Sequence, residues 1–302
     1  MDIRFLINGE GILFNVLLLF FIIIFVAFLV IFTVFMIMRY IFKSKVNFKM
    51  TIHQRKKIKD QDEVPYFRDI TCDSIEEAFW IGTYYGIITN ISDFIGAMLL
   101  KWIKEDHLDV QEDEYGNTII DMNKLFKTDI GIESSIYVKL LACSGPNRIL
   151  EENEFKNFFK DNEKVIDKIF EQMSREVKTK LIEKGLLIRQ VSDTGREKFI
   201  TTPALDEKAS QLAGLKRFLI DFSNIENRES IQVHLWDEYL IYAQMFGIAD
   251  MVEKELQDIY PDYLRTVQIN QIKVALVNSA VSSLHFSGGL LLSMALGVSR
   301  FD

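Results

Sequence analysis

Between Ile12 and Met38 the chain reads ILFNVLLLFFIIIFVAFLVIFTVFMIM, 27 residues without a charge. Asn15 and Thr33 are the only polar side chains in it. At 1.5 Å per residue such a run makes roughly 40 Å of helix, against about 30 Å of bilayer hydrocarbon. A helix buried in a soluble core keeps a polar stripe, and this run has none. A cleaved signal peptide carries a shorter apolar stretch, about 7–15 residues, ending at small residues. This run ends at Met36-Ile37-Met38-Arg39 instead. It predicts one uncleaved membrane-spanning helix within residues 12–41, preceded by a short extracytoplasmic segment, residues 1–11.

The flanks set the expected orientation. Asp2, Arg4 and Glu10 stand before the run; Arg39, Lys43, Lys45, Lys49, Arg55, Lys56, Lys57 and Lys59 follow it, with no acid until Asp60. Basic residues are retained on the cytoplasmic side, so the N-terminus is expected outside and the body inside. The same eight side chains, on a linker over residues 42–64, are the candidate contact with anionic lipid headgroups. The lipid bilayer is thus the first expected partner.

Charge divides at this linker. Residues 1–60 carry nine Lys/Arg against three Asp/Glu, so of the chain's net −8 the remainder accounts for −14. A body this acidic is repelled by phosphate backbones, and no nucleic-acid partner is expected. Cys72 and Cys143 have no CxxC spacing and are expected as free thiols in a reducing compartment.

Beyond Pro65 the pattern is mainly α with small β-hairpins. Ser74 to Tyr85 predicts a helix, with Asp73 or Ser74 as cap and Glu76 and Glu77 in its first turn. In Ser92 to Glu105, the residues Phe94, Ile95, Met98, Leu99, Trp102 and Ile103 follow the i, i+3, i+4 spacing of one buried face. Leu108 to Gln111 and Thr118 to Asp121 flank the turn-rich EDEYGN and predict a hairpin. Lys101 to Asp121 then aligns without a gap on Lys180 to Ile200, pairing Ile103 with Ile182, Leu108 with Leu187, Gln111 with Gln190 and Gly116 with Gly195. The order helix, link, strand, glycine turn, strand occurs twice. This predicts a tandem winged-helix-like region, residues 65–130 and 131–205, followed by a helical segment over 206–262 and a Ser/Gly-containing tail over 263–302.

Winged helices invite a DNA reading, and the charges oppose it. A reading helix needs Arg, Lys, Asn or Gln for base edges and basic neighbours for phosphates. The first copy offers Lys101 and Lys104 against Asp93 and Glu105, and its wing carries Asp109, Glu112, Asp113 and Glu114. Chemistry finds no better footing. His53, His107, His234 and His285 show no metal-ligand spacing, and there is no GxGxxG or GxxxxGK[ST]. GPNRILEENEF lacks the oxygen ligands and the glycine of a calcium loop; its acids read as the first turn of a helix over Glu151 to Lys160. No metal, cofactor or catalytic residue is expected.

In LWDEYLIYAQMFG, from Leu235, the residues Trp236, Tyr239, Leu240, Ala243, Phe246 and Gly247 fall on one helical face. Asp237, Glu238 and Gln244 fall on another face, and the two acids are expected as solvated groups near a helix start; neighbours in sequence do not face each other on a helix, so they make a poor general acid/base couple. Gly247 is the expected stop.

Five segments in order carry a resemblance: VPYFRDITCD (Val64 to Asp73), DFIGAMLLKWIKE (Asp93 to Glu105), ILEENEF (Ile149 to Phe155), FLIDFSNIENRE (Phe218 to Glu229) and LWDEYLIYAQMFGIADMVEKEL (Leu235 to Leu256). Together they resemble the C-terminal cytoplasmic half of the bacterial predicted membrane proteins known as domain of unknown function 2207. The resemblance implies a plan of extracytoplasmic β-domain, membrane helices, this cytoplasmic half and a Ser/Gly-rich tail. Only Met1 to Gly11 precede the apolar run, so the outer domain is expected to be missing. The tail keeps Phe286-Ser287-Gly288-Gly289 but is otherwise more apolar. The family has no established activity, so the resemblance implies architecture and location without chemistry.

Val274 to Val298 is long enough for a second span, yet Asn278, His285 and interspersed serines make insertion costly, and a disordered or loosely packed tail is expected. The leading functional expectation is a non-enzymatic, single-pass, membrane-anchored module that docks a protein partner. A membrane-bound transcription regulator using winged helices is the second reading. The third is a membrane-associated enzyme using acids such as Asp69, Asp73 and Asp221.

Overall fold

The structure is a computed structural model. It describes residues 64–124, 126, 131–191, 197–221, 235–259, 268–282, 284 and 286, together with Leu19 and Ile22. Leu19 and Ile22 apart, the run Ile12–Met38 lies outside the described residues, as does the whole basic linker up to Glu63. Among the described residues no helix is long and apolar enough to cross a membrane.

The fold from residue 64 onward is mainly helical with two small antiparallel sheets. Helix α1 (Ile75–Tyr85) starts where the Ser74 hydroxyl accepts from the Glu77 N–H, and stops at Gly86, whose φ of 75° is the left-handed end of a helix. Helix α2 (Ile91–Lys104) is capped by the Asn90 side chain on the Ser92 N–H. Strands β1 (Asp109–Glu112) and β2 (Thr118–Asp121) form the expected hairpin, with Val110 opposite Ile120. After α3 (Ile132–Cys143), strand β3 (Ile149–Glu151) joins the far side of β2 and sets Leu150 opposite Ile120. Val110, Ile120 and Leu150 are all buried, so alternation along three strands makes one apolar face. The sequence pattern had only two of these strands, because a three-residue strand carries no readable period.

Helix α4 (Glu152–Asp161) begins with a capping box between Glu151 and Glu154, the acidic first turn read from LEENEF. Helix α5 (Glu163–Glu183) leads into the hairpin β4 (Leu187–Val191) and β5 (Glu197–Thr201). Helix α6 (Pro203–Ile220) places proline in its first turn, with the Thr202 hydroxyl accepting from Leu205 N. Helices α7 (Trp236–Met245), α8 (Ala249–Ile259) and α9 (Gln271–Ser282) follow.

The internal repeat is real at the level of single hydrogen bonds. Both α2 and α5 end 79 residues apart, at Lys104 and Glu183. His107 N donates to Trp102 O and Leu186 N to Leu181 O, both at 2.8 Å. The left-handed residue of each turn is Asp106 (φ 58°) in one copy and Gly185 (φ 69°) in the other. What surrounds the copies differs. In the first, α2 lies under α7 and α9, and all but three of its fourteen residues are buried. In the second, α5 keeps Arg175, Glu176 and Lys180 on the surface.

One continuous core joins these elements. Phe79 of α1 stacks on Phe94 of α2 at 4.1 Å, and Phe170 of α5 meets both edge-on. The expectation of a loose tail fails for its first part. Val274, Val277, Ala280 and Val281 of α9 are buried, and the helix packs on α2, α8 and β1. Ser279 and Ser282 of this helix are exposed and Asn278 is half-buried against Asp250 of α8, an arrangement that composition alone does not reveal.

Candidate functional site

Helix α7 brings Trp236, Tyr239, Leu240, Ala243 and Phe246 into the core, as the helical spacing requires, with Trp236 at 1% exposure. The expectation for its two acids is corrected. Burial pushes the Asp237 carboxyl up, and one of its oxygens accepts from the Ile269 N–H at 3.1 Å, tying the chain before α9 to the start of α7. Glu238 pairs with Lys104 of α2, both side chains one-third exposed. The two acids therefore point to different neighbours and are positioned to hold helices together.

A cavity of about 720 Å3 opens where three helix ends meet: the start of α2, the turn from α7 to α8, and the end of α9. Gln244, placed by the helical spacing on the outer face with the acids, is instead 1% exposed and lines the cavity, and among the described residues its Oε1 has no hydrogen-bond partner. The Gln244 side chain lies flat over Gly96, where a Cβ would stand 2.7 Å from Nε2. Asp93 lines the cavity from the first turn of α2 and accepts from Asn90 Nδ2 at 3.3 Å. Burial pushes its carboxyl up to about 6, against the opposing field of Lys216. The Lys216 ammonium donates elsewhere, to Ile87 O at 3.0 Å. Asp250, at the start of α8, accepts from Asn278 Nδ2 at 2.7 Å across the opening. Gly247 is required in the turn: its φ is 74°, and a Cβ there would sit 2.9 Å from Asp93 Oδ2. Sequence reasoning missed this site, since its polar groups come from positions 90–93, 244–250 and 278–282 and share no motif.

Two further charged clusters sit within the core. Glu77, 3% exposed, receives Lys184 at 2.5 Å and Lys208 at 2.6 Å, and joins α1 to the end of α5 and to α6. Glu133 of α3 takes a hydrogen bond from Trp102 Nε1 at 3.0 Å and another from Lys101. Burial and the neighbouring Glu133 carboxyl raise Glu76 beside it. Each cluster pairs its charges across helices, the arrangement that makes burial of ions tolerable.

The other candidates do not converge. Asp69 is exposed, Asp73 pairs with Lys184 at 2.7 Å, and Asp221 accepts from Tyr66 Oη at 2.9 Å; none lines the cavity. Of the histidines only His107 is described, buried against Phe126 with ring centroids 4.9 Å apart. Among the described residues no three His, Cys, Asp or Glu come together as a metal site. Cys72 is buried and Cys143 exposed, both free. The membrane-surface candidates Arg39, Lys43, Lys45, Lys49, Arg55, Lys56, Lys57 and Lys59 lie outside the described residues.

The span from β5 to α8 also carries the similarity to known sequences. The family described as predicted membrane protein (DUF2207) C-terminal domain matches residues 196–256. That stretch holds Phe218 to Glu229 and Leu235 to Leu256, two of the five segments on which the resemblance was read. The three segments upstream of it lie outside the matched span. No curated protein and no solved structure matches the chain.

Proposed function

We propose that the chain is a membrane-tethered interaction module with one N-terminal span, its N-terminus outside and its body in the cytoplasm. The observation that carries this reading is the uncharged run Ile12–Met38 followed at once by eight basic side chains from Arg39 to Lys59. Leu19 and Ile22 agree with it: both are helical, and they leave 61% and 52% of their surface uncovered by protein. The matched family is itself described as a predicted membrane protein. The basic side chains would rest on anionic headgroups.

The body would dock a protein. Its first hairpin carries Glu112, Asp113 and Glu114, with Tyr115 80% exposed at the tip. The Asp113 carboxylate accepts from Tyr115 N and Asn117 N, both at 2.8 Å, so the tip is held in one shape. Aromatic side chains on a rigid polar rim suit protein contacts. The regulator reading draws on the repeated helix–hairpin order, but α2, buried under α7 and α9, offers no face to a groove, and the hairpin after it is acidic.

Topology is tested at Cys143, which is exposed while Cys72 is buried. A membrane-impermeant maleimide should label Cys143 only after cells are opened. Labelling in intact cells would overturn the orientation. Crosslinking the protein in native membranes, with Tyr115→Ala as control, should capture a partner whose yield falls in the variant. An unchanged yield removes the first hairpin from the contact.

A further inference from the structure

Along α5, Lys164, Lys168 and Arg175 follow one another at spacings of four and seven, so they share one stripe of the helix. All three are exposed, and none is ion-paired among the described residues. The exposed acids of α5, Glu163, Glu176 and Glu183, fall off this stripe, and half-buried Glu171 borders it. The first hairpin is the charge complement. Glu112 and Glu114 stand beside the exposed Tyr115, and neither is ion-paired among the described residues. The spacings agree as well. Lys164 and Lys168 are one turn apart, about 6 Å along the axis, and the backbones of Glu112 and Glu114 stand at most about 7 Å apart.

We propose that the α5 stripe of one copy receives the first-hairpin tip of a second copy, with Glu112 and Glu114 against Lys164, Lys168 and Arg175. The proposal rests on the reading of the first hairpin as a docking surface and names its partner. Residues 61–302 carry −14, so two bodies repel over most of their surface, and a stripe of unpaired bases is where an acidic tip settles. The same charge opposes a lipid phosphate or a nucleic acid as the occupant of the stripe. The tip arrives in one shape, because the Asp113 carboxylate accepts from Tyr115 N and Asn117 N. Each copy presents one tip and one stripe, so copies join head to tail, into a ring or an open chain. Exposed ion pairs are weak singly and screened by salt. Tethering in one membrane plane offsets this by raising the effective concentration of neighbours.

The test is zero-length carbodiimide crosslinking, which joins a carboxylate to an amine only where the two touch. Full-length protein, half of it heavy-isotope-labelled, is reconstituted in phosphatidylcholine vesicles. Peptides that join Glu112 or Glu114 to Lys164 or Lys168 are expected, with mixed labels that mark a link between copies. Their yield should fall about tenfold or more in the combined variant Lys164→Glu, Lys168→Glu, Arg175→Glu, because like charges then face each other. It should recover, with the linked groups reversed, when that variant is mixed with Glu112→Lys, Glu114→Lys. All variants are checked for an unchanged circular dichroism spectrum. Links confined to one label, a yield unchanged by the combined variant, or no recovery in the reversed mixture would overturn the proposal. Links that vanish when phosphatidylserine is added would assign the stripe to lipid headgroups and overturn it too. In native membranes, hairpin links to a different protein would keep the hairpin as a docking surface and reject the second copy as its partner; a hairpin that links to nothing would remove both readings.

Discussion

Truncating Trp236 to alanine gives the sharpest test of how the C-terminal helices are held. The side chain is 1% exposed at the first residue of α7, the helix that covers α2. A buried tryptophan hides about 150–250 Å2, which at about 25 cal/mol per Å2 corresponds to roughly 4–6 kcal/mol. Alanine keeps a small part of that, and core truncations of this kind cost about 3–5 kcal/mol. That is a large fraction of the about 5–15 kcal/mol that stabilises a domain. The neighbouring acids give the contrast. Asp237→Ala leaves the Ile269 N–H without its acceptor and should cost about 1–2 kcal/mol. Glu238→Ala breaks a pair with Lys104 that is one-third exposed on both sides and should stay within about 1 kcal/mol. For a body of this size each kcal/mol shifts the melting temperature by about 2–4 °C. Thermal unfolding of the full chain in detergent, followed by circular dichroism, should show Trp236→Ala about 6–20 °C below the parent, Asp237→Ala about 2–8 °C below it and Glu238→Ala within about 4 °C. A Trp236→Ala protein that melts with the parent would refute the packing argument. If an acid substitution also abolished cellular function while the fold survived, α7 would be a site rather than a strut.

Three other outcomes follow from the same structure. The Asp93 carboxyl is raised in the fold, so the folded state holds the proton more tightly and stability should fall as pH rises from about 4 to about 6; melting curves across that window should flatten in Asp93→Asn, which should melt above the parent at pH 7.5. Burial lowers Lys178 from 10.5 to about 8, its ammonium 5.0 Å from the Phe199 ring, so stability should rise between pH 8 and pH 10.5; Lys178→Met should remove that rise and stabilise the protein at pH 7. At Gly214 a Cβ would meet Pro65 O at 2.4 Å and Phe67 Cβ at 2.9 Å, so Gly214→Ala should cost about 1–3 kcal/mol and raise proteolytic clipping near residue 65; a variant as stable and resistant as the parent would show that this approach is not tight.

Local signals in the chain were enough for α1, α2, α4 and α7. Each has a capping residue, an acidic first turn or a 3.6-residue apolar spacing that acts within a dozen residues, and physics at that range is written in adjacent side chains. The 79-residue repeat was readable for the same reason, because each copy is a helix, a left-handed turn and a hairpin set by near neighbours. Tertiary structure decided what those units touch. It joined β3 to the first hairpin, buried α2 under α7 and α9, and turned part of an apparent Ser/Gly tail into a packed helix. It also drew Asp237 to Ile269 and Glu238 to Lys104, pairings across 32 and 134 residues that no local pattern encodes. The cavity shows the limit most plainly. Asp93, Gln244 and Asn278 are ordinary polar residues in sequence, and they come to line one cavity only because three helix ends meet there.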